Sequence, residues 1–159
     1  MKITRIDLAD PKHCAGLIQM LDHYAQTPEG GGHPLDPDRL RSLPGVLAQC
    51  PTWIGLLAQD GSQVVGLCDG FWSVSTFAAR RLINIHDIAV HTDWRRRGIA
   101  HDLLESMTAI AFEMDCCKIT LEVLEGNTGA MALYRRAGFE AYQLDPAMGR
   151  AGFMQKWLR

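Results

Sequence analysis

An apolar strand pattern that runs into three arginines, a glycine and a helix constrains this chain more than any other feature. Ile85, His86, Asp87, Ile88, Ala89 and Val90 read as the end of a strand, His91 to Trp94 as a short turn, and Arg95-Arg96-Arg97-Gly98-Ile99-Ala100 as the entry to an amphipathic helix. A chain that turns from strand to helix in this way gathers backbone N–H groups at the helix start. Ringed by cationic side chains, such a nest suits a pyrophosphate. Arginines at a helix N-terminus oppose the helix dipole, so they are disfavoured there without an anion. Gly98 lets the backbone approach a phosphate closely, and Ala100 keeps the helix start small. Neither G-x-x-x-x-G-K-[ST] nor G-x-G-x-x-G occurs; the spacing is R-x-x-G-x-A.

A chain of 159 residues, 47% of them apolar, can bury one substantial core, so residues 1–159 are expected to form a single domain. A formal net charge of −2 argues against a general nucleic-acid binder. The arginines form one local cluster without an aromatic-interleaved basic face, so no nucleic-acid partner is expected. The five cysteines, Cys14, Cys50, Cys68, Cys116 and Cys117, are odd in number and contain no CxxC, as expected of reduced thiols. With no apolar leader and no long apolar run, a cytoplasmic protein without a membrane partner is expected. His13, His23 and His33 lack metal-ligand spacing, so no metal is expected.

Lys2 to Ile6 reads as a first strand. Asp10-Pro11 starts a helix whose apolar face is Cys14, Leu17, Ile18, Leu21 and Tyr24. Thr27 to Pro34 is a glycine-rich connection, and Asp36-Pro37 starts a second helix. Trp53–Ala58 and Val64–Trp72 are strands joined by the Asp60-Gly61 turn, and Leu82–Val90 is a third. The helix after Gly98 carries Ile99, Leu103, Leu104, Met107, Ile110, Ala111 and Met114 on one stripe. Cys117–Val123 reads as a strand and Thr128–Ala137 as a helix closed by Gly138. Phe139–Gln143 and Phe153–Leu158 read as two final strands. The fold class is α+β.

Asn127 stands at a strand-to-helix junction, where its amide can cap the helix or meet a ligand amide. Tyr134 follows two helical turns later on nearly the same face. Asn127 and Tyr134, downstream of R-x-x-G-x-A at Arg95–Ala100, resemble the pattern of the GNAT superfamily of N-acetyltransferases. The resemblance covers roughly residues 62 to 158; the segment before it matches only in its order of elements. Locally, the strand with His86-Asp87 is similar to spermidine/spermine-like acetyltransferases, which carry Glu-Asp there.

The resemblance implies a GNAT fold with a mixed, mostly antiparallel sheet and acetyl-CoA as cosubstrate, lying between the strand at 84–90 and the strand at 117–123. It places the pyrophosphate on Arg95, Arg96, Arg97, Gly98, Ile99 and Ala100. The pantetheine arm would lie along Ile88, Ala89 and Val90 and at Asn127. Backbone N–H groups near Ile88 and Ala89 would polarise the acetyl carbonyl, and Tyr134 would give a proton to the leaving thiolate. Histidine titrates near neutral pH, so His86 is a candidate base for the incoming amine, with Asp87 or water as alternatives. Adjacent strand residues point to opposite faces, so His86 and Asp87 should not share one role. Phe71-Trp72 and Phe77 either wall the acceptor site or pack in the core. The charge of Glu29, Asp36 and Asp38 would suit a cationic amine such as a polyamine or diamine; an amino acid or a peptide N-terminus is the alternative acceptor. The expected activity is direct acetyl transfer to a primary amine; the alternative is a non-catalytic acyl-CoA sensor or scaffold. The final strands offer an edge for a homodimer.

Overall fold

The computed structural model describes residues 1–149 and 151–158. Met1–Leu121 forms one compact unit and Glu122–Arg159 a second. The first holds a five-stranded sheet in the order β1-β2-β3-β4-β5: β1 (Lys2–Arg5), β2 (Trp53–Asp60), β3 (Gln63–Ser75), β4 (Arg80–Val90) and β5 (Lys118–Leu121). The β1 to β4 pairs are antiparallel and β4–β5 is parallel, giving the mixed, mostly antiparallel sheet expected.

Helix α1 (Pro11–Ala25) starts where the Asp-Pro signal places it, with the Asp10 carboxylate accepting the Lys12 N–H. Its Leu17 and Met20 are fully buried. They join Leu47 of α2 (Pro37–Ala48) over Leu57, Leu67 and Ala89 of three neighbouring strands, with Tyr24, Trp53 and Phe71 at the margin. Helix α3 (Ile99–Glu113) covers the other face; a Cβ on Gly66 would meet Ile99 and Leu103 at 3.1 Å. Sandwiched on both sides, residues 54–58 of β2 and 64–70 of β3 are buried without a break. Each large apolar side chain so buried stabilises by about 1.5–3 kcal/mol.

In the second unit, α4 (Thr128–Arg136) follows the Asn127 cap, and Gly138 closes it at φ +86°. The two final strands do not form. Among the described residues no strand follows Leu121, and Phe153, Met154, Trp157 and Leu158 are 78–90% exposed. Alternating apolar residues make a strand only when a ladder partner and a covering face are supplied, and neither accompanies these.

Candidate active site

After β4, the His91 ring accepts the Asp93 N–H and starts a short 3₁₀ turn, Thr92–Trp94. Arg96 then adopts φ +62° and Gly98 φ +84°. Left-handed residues this close together turn successive amides toward one side. No side chain caps α3. Its backbone ladder opens with Asp102 N–H donating to the Gly98 carbonyl at 3.0 Å, so the amides of Ile99, Ala100 and His101 are the orphan donors of a helix start. A Cβ on Gly98 would meet nothing within 4 Å. Backbone conformation, not crowding, calls for glycine there.

The three arginines are not equivalent. Arg97 lies 4.6 Å above the Trp94 ring and donates to the Asp93 carbonyl, 3.1 Å away. Arg95 directs Nε toward the Val90 carbonyl at 3.5 Å. Arg96 is exposed and carries the left-handed backbone of the loop.

Beside this loop the sheet opens. The parallel pairing of β4 with β5 ends at Ile85 opposite Leu121, while β4 continues to Val90. Ile88, Ala89 and Val90 stay paired on the β3 side, opposite Cys68, Leu67 and Gly66. Among the described residues no strand pairs with them on the other side, so that edge presents backbone groups to an extended ligand.

At the same point the β3–β4 register slips. Asp69 lies opposite Asp87 and Gly70 opposite Ile85, which leaves His86 as the extra residue of a β-bulge. His86 is exposed, its ring edge-on to Phe71 with centroids 4.9 Å apart. Asp87 is half-buried and Asp69 only 5% exposed. Trp53 Nε1–H donates to Asp69 Oδ2 at 3.1 Å, whereas Asp69 Oδ1 is buried without a partner. Burial first, and then the neighbouring Asp87 charge, push the Asp69 carboxyl up to about 7. Burial also raises Asp87, opposed by His86. Burial and then the Asp87 and Glu29 charges raise the Tyr24 phenol. Asp69 was not a candidate in the sequence. Its signal was an acid inside the apolar run Val64–Trp72.

In the second unit, Asn127 Oδ1 accepts the Ala130 N–H at 3.1 Å, so Asn127 is the α4 cap. Tyr134 is buried at 8% exposure, edge-on to Phe139 with centroids 5.9 Å apart.

Residues 17–139 match the model of the Acetyltransferase (GNAT) family. The chain belongs to that family. A bovine (Bos taurus) thialysine N-epsilon-acetyltransferase is 33% identical over 79 residues, 50% of this chain and 46% of that protein. The match thus spans under half the length of that relative. A solved probable acetyltransferase superposes with a TM-score of 0.83 at 20% identity, covering 100% of both chains. A ribosomal-protein-alanine N-acetyltransferase from Brucella melitensis biovar Abortus 2308 gives 0.76 at 20% identity, covering 99% of this chain and 100% of that one. At such identities these likenesses speak for the fold alone.

Several acceptor-side residues of this GNAT chain have other engagements. Asp36 caps α2, and Asp38 pairs with Arg41. Phe77 is 97% exposed at the β3–β4 turn, so it neither walls a site nor packs in the core. A polar side chain at a hairpin tip would signal that exposure; an aromatic one does not. Phe71 lies against His86, while Trp72 takes Arg81 over its ring at 5.0 Å. Glu29 remains, in the turn Pro28–Gly30, with Oε2 buried and unpartnered. Among the described residues no His, Cys, Asp and Glu group is arranged to hold a metal ion.

The loop is also tied to α1. His23 stacks on His91 with centroids 4.3 Å apart, and its Nε2 accepts the Thr92 N–H at 3.2 Å. That acceptor exists only while Nε2 is unprotonated. Burial, then His91 and Arg95, lower the His23 pKa. A lowered folded value favours the neutral ring, so the contribution is whole above the ordinary value near 6.5 and is lost as pH falls through the lower folded one. Acidification from pH about 7 to about 5 should therefore lower the melting temperature of wild type by a few degrees more than that of His23→Asn. Parallel melting curves would remove His23 from the account.

Proposed function

We propose that this chain, acting as one N-acetyltransferase domain, transfers acetyl from acetyl-CoA directly to a primary amine. The observation that carries the reading is the α3 start: uncapped amides and two left-handed residues beside the edge where β4 leaves β5. Donors of that kind suit a pyrophosphate. We assign it to Arg95, Arg96, Arg97, Gly98, Ile99 and Ala100, with Arg97 the least available because Trp94 holds it. The strand edge at Ile88, Ala89 and Val90, unpaired by any strand among the described residues, suits a pantetheine arm, and the family resemblance assigns Asn127 to pantetheine as well. Holding donor and acceptor in one cleft replaces a bimolecular encounter, an advantage of about 10⁵ M or more in effective molarity. Tyr134 is the proposed proton donor to the thiolate. His86, exposed on the bulge, is the proposed base, with Asp87 beside it.

The acceptor reading is a small amine. The bovine relative's name specifies the N-epsilon amine of thialysine, and the Brucella neighbour's the alanine of a ribosomal protein. The test is thiol release from acetyl-CoA over a panel of thialysine, lysine, diamines and alanine-terminated peptides. Release with at least one amine is expected; acetyl-CoA binding without release from any would make the chain an acyl-CoA sensor. In the same assay Gly98→Val, a β-branched residue forced into the left-handed region, should weaken acetyl-CoA binding about tenfold by calorimetry. The fold should persist, since nothing lies within 4 Å of that Cβ. Undiminished binding would remove the cradle assignment.

A further inference from the structure

We propose that Asp69 and Asp87 share one proton at the floor of the acceptor site and together form a seat for an alkylammonium group. The proposal rests on the amine-acetylating reading and names the charge state in which the acceptor is recognised. Three observations support it. Asp69 and Asp87 are direct cross-strand partners, so their side chains leave the sheet on the same face. Trp53 occupies only one Asp69 oxygen, leaving the buried Oδ1 without a donor. Burial also increases inward, from exposed His86 through half-buried Phe71 and Asp87 to buried Asp69.

Two carboxylates accept but cannot donate, so as a doubly charged pair they would leave Oδ1 unsatisfied and repel each other. One retained proton relieves both: Asp69 donates to Asp87, and the pair carries a single negative charge. A primary ammonium matches that charge and donates its N–H groups to the Asp87 carboxylate. Trp53, Phe71 and Tyr24 border the same face and offer aromatic surfaces to a cation. A neutral hydroxyl or amide supplies no charge and leaves part of the seat unpaired.

The groups that face this pair are few. Tyr24 comes from α1, Glu29 from the turn after it and His86 from the bulge, while Cys68, next to Asp69 in β3, points to the other face. Helix α2 brings the apolar Leu43 and Leu47 to the core below. None of these supplies a fixed cation, so the ligand's ammonium is the natural one. Asp69 acts through Asp87 and is a positioning residue.

The test needs no acetyl transfer and so separates this proposal from the activity. The Trp53 indole N–H reports directly on Asp69, and Trp53→Phe assigns its NMR signal among the four tryptophans. In wild type that signal should titrate with a midpoint near the Asp69 value of about 7. Butylammonium, binding the one-proton pair, should raise the midpoint by about one unit through linkage, and butanol should not. Asp69→Asn mimics the protonated partner: its amide oxygen still accepts from Trp53 and its N–H₂ donates to Asp87. The indole should then cease to titrate while butylammonium binds with an affinity independent of pH between about 6 and about 8. Asp87→Asn should lose butylammonium binding by more than about tenfold. A wild-type midpoint that butylammonium leaves in place, or an Asp87→Asn protein that binds it as wild type does, overturns the seat. Either result leaves the thiol-release assay to judge the acetyltransferase reading separately.

Discussion

Gly70→Ala should lower the melting temperature by about 10 °C. A Cβ at Gly70 would lie 2.2 Å from the Asn84 carbonyl oxygen and 2.9 Å from the Ile85 Cα. Both atoms are backbone of the neighbouring strand, so no side-chain rotation can relieve the contact. Strand β4 must retreat, and it must do so where the β3–β4 register slips and the bulge begins. Overpacking of this severity costs about 3 kcal/mol, and each kcal/mol shifts Tm by about 2–4 °C in a chain of this size. The functional loss should exceed the stability loss, because the retreating strand carries His86, Asp87 and the Ile88–Val90 edge. The folded fraction at low temperature should acetylate amines poorly even where it is fully populated. Gly45→Ala is the control: it sits inside α2 with nothing within 4 Å, so the methyl should leave stability unchanged or raise it by up to about 1 kcal/mol. A Gly70→Ala protein that melts with wild type would show that β4 can shift freely, and the bulge would lose its role in placing the two side chains.

Elements with their own local signals were legible in the sequence. Asp-Pro pairs started α1 and α2, Asp60-Gly61 turned the first hairpin, and the stripe Ile99–Met114 gave α3. Asn127 and Gly138 bounded α4. The loop at 95–100 was legible for the same reason: its chemistry is written in consecutive residues. Asp69 was not. A strand buried on both faces loses the alternation that would tell which way each side chain points, so an acid in the run Val64–Trp72 has no visible direction. The bulge was hidden too, because a two-against-one pairing is a property of two strands and His86 belongs to one of them. His86 and Asp87 point to opposite faces only in an unbroken strand, and the ladder breaks there. The helical spacing of α1 puts Tyr24 on its inner face, but nothing in the helix reveals that Asp87 lies nearby. The last two apolar runs show the reverse error: Phe153–Leu158 has the composition of a strand without the pairing that makes one.

Tyr134→Phe should lower kcat for the best amine by about 10²-fold or more while leaving acetyl-CoA affinity within a factor of about two, the range over which general acid catalysis typically contributes. The substitution removes one hydroxyl and keeps the ring. Tyr134 is buried at 8% exposure and its ring meets Phe139 edge-on, a contact a phenylalanine repeats. Its carbonyl, which accepts the Phe139 N–H at 2.9 Å just past the α4 C-terminus, is untouched. Helix α4 and its Asn127 cap should therefore persist, so a fall in kcat would report on the hydroxyl and not on a collapsed helix. The pH profile gives the sharper reading. If the phenol protonates the departing thiolate, wild-type kcat should decline at alkaline pH as the phenol ionises, and Tyr134→Phe should lack that limb. Asp69→Asn should behave oppositely, moving amine binding near neutral pH and leaving the alkaline limb in place. Unchanged kcat in Tyr134→Phe would transfer the proton to water and reduce α4 to a structural role. An alkaline limb that survives the substitution would assign that ionisation to another group.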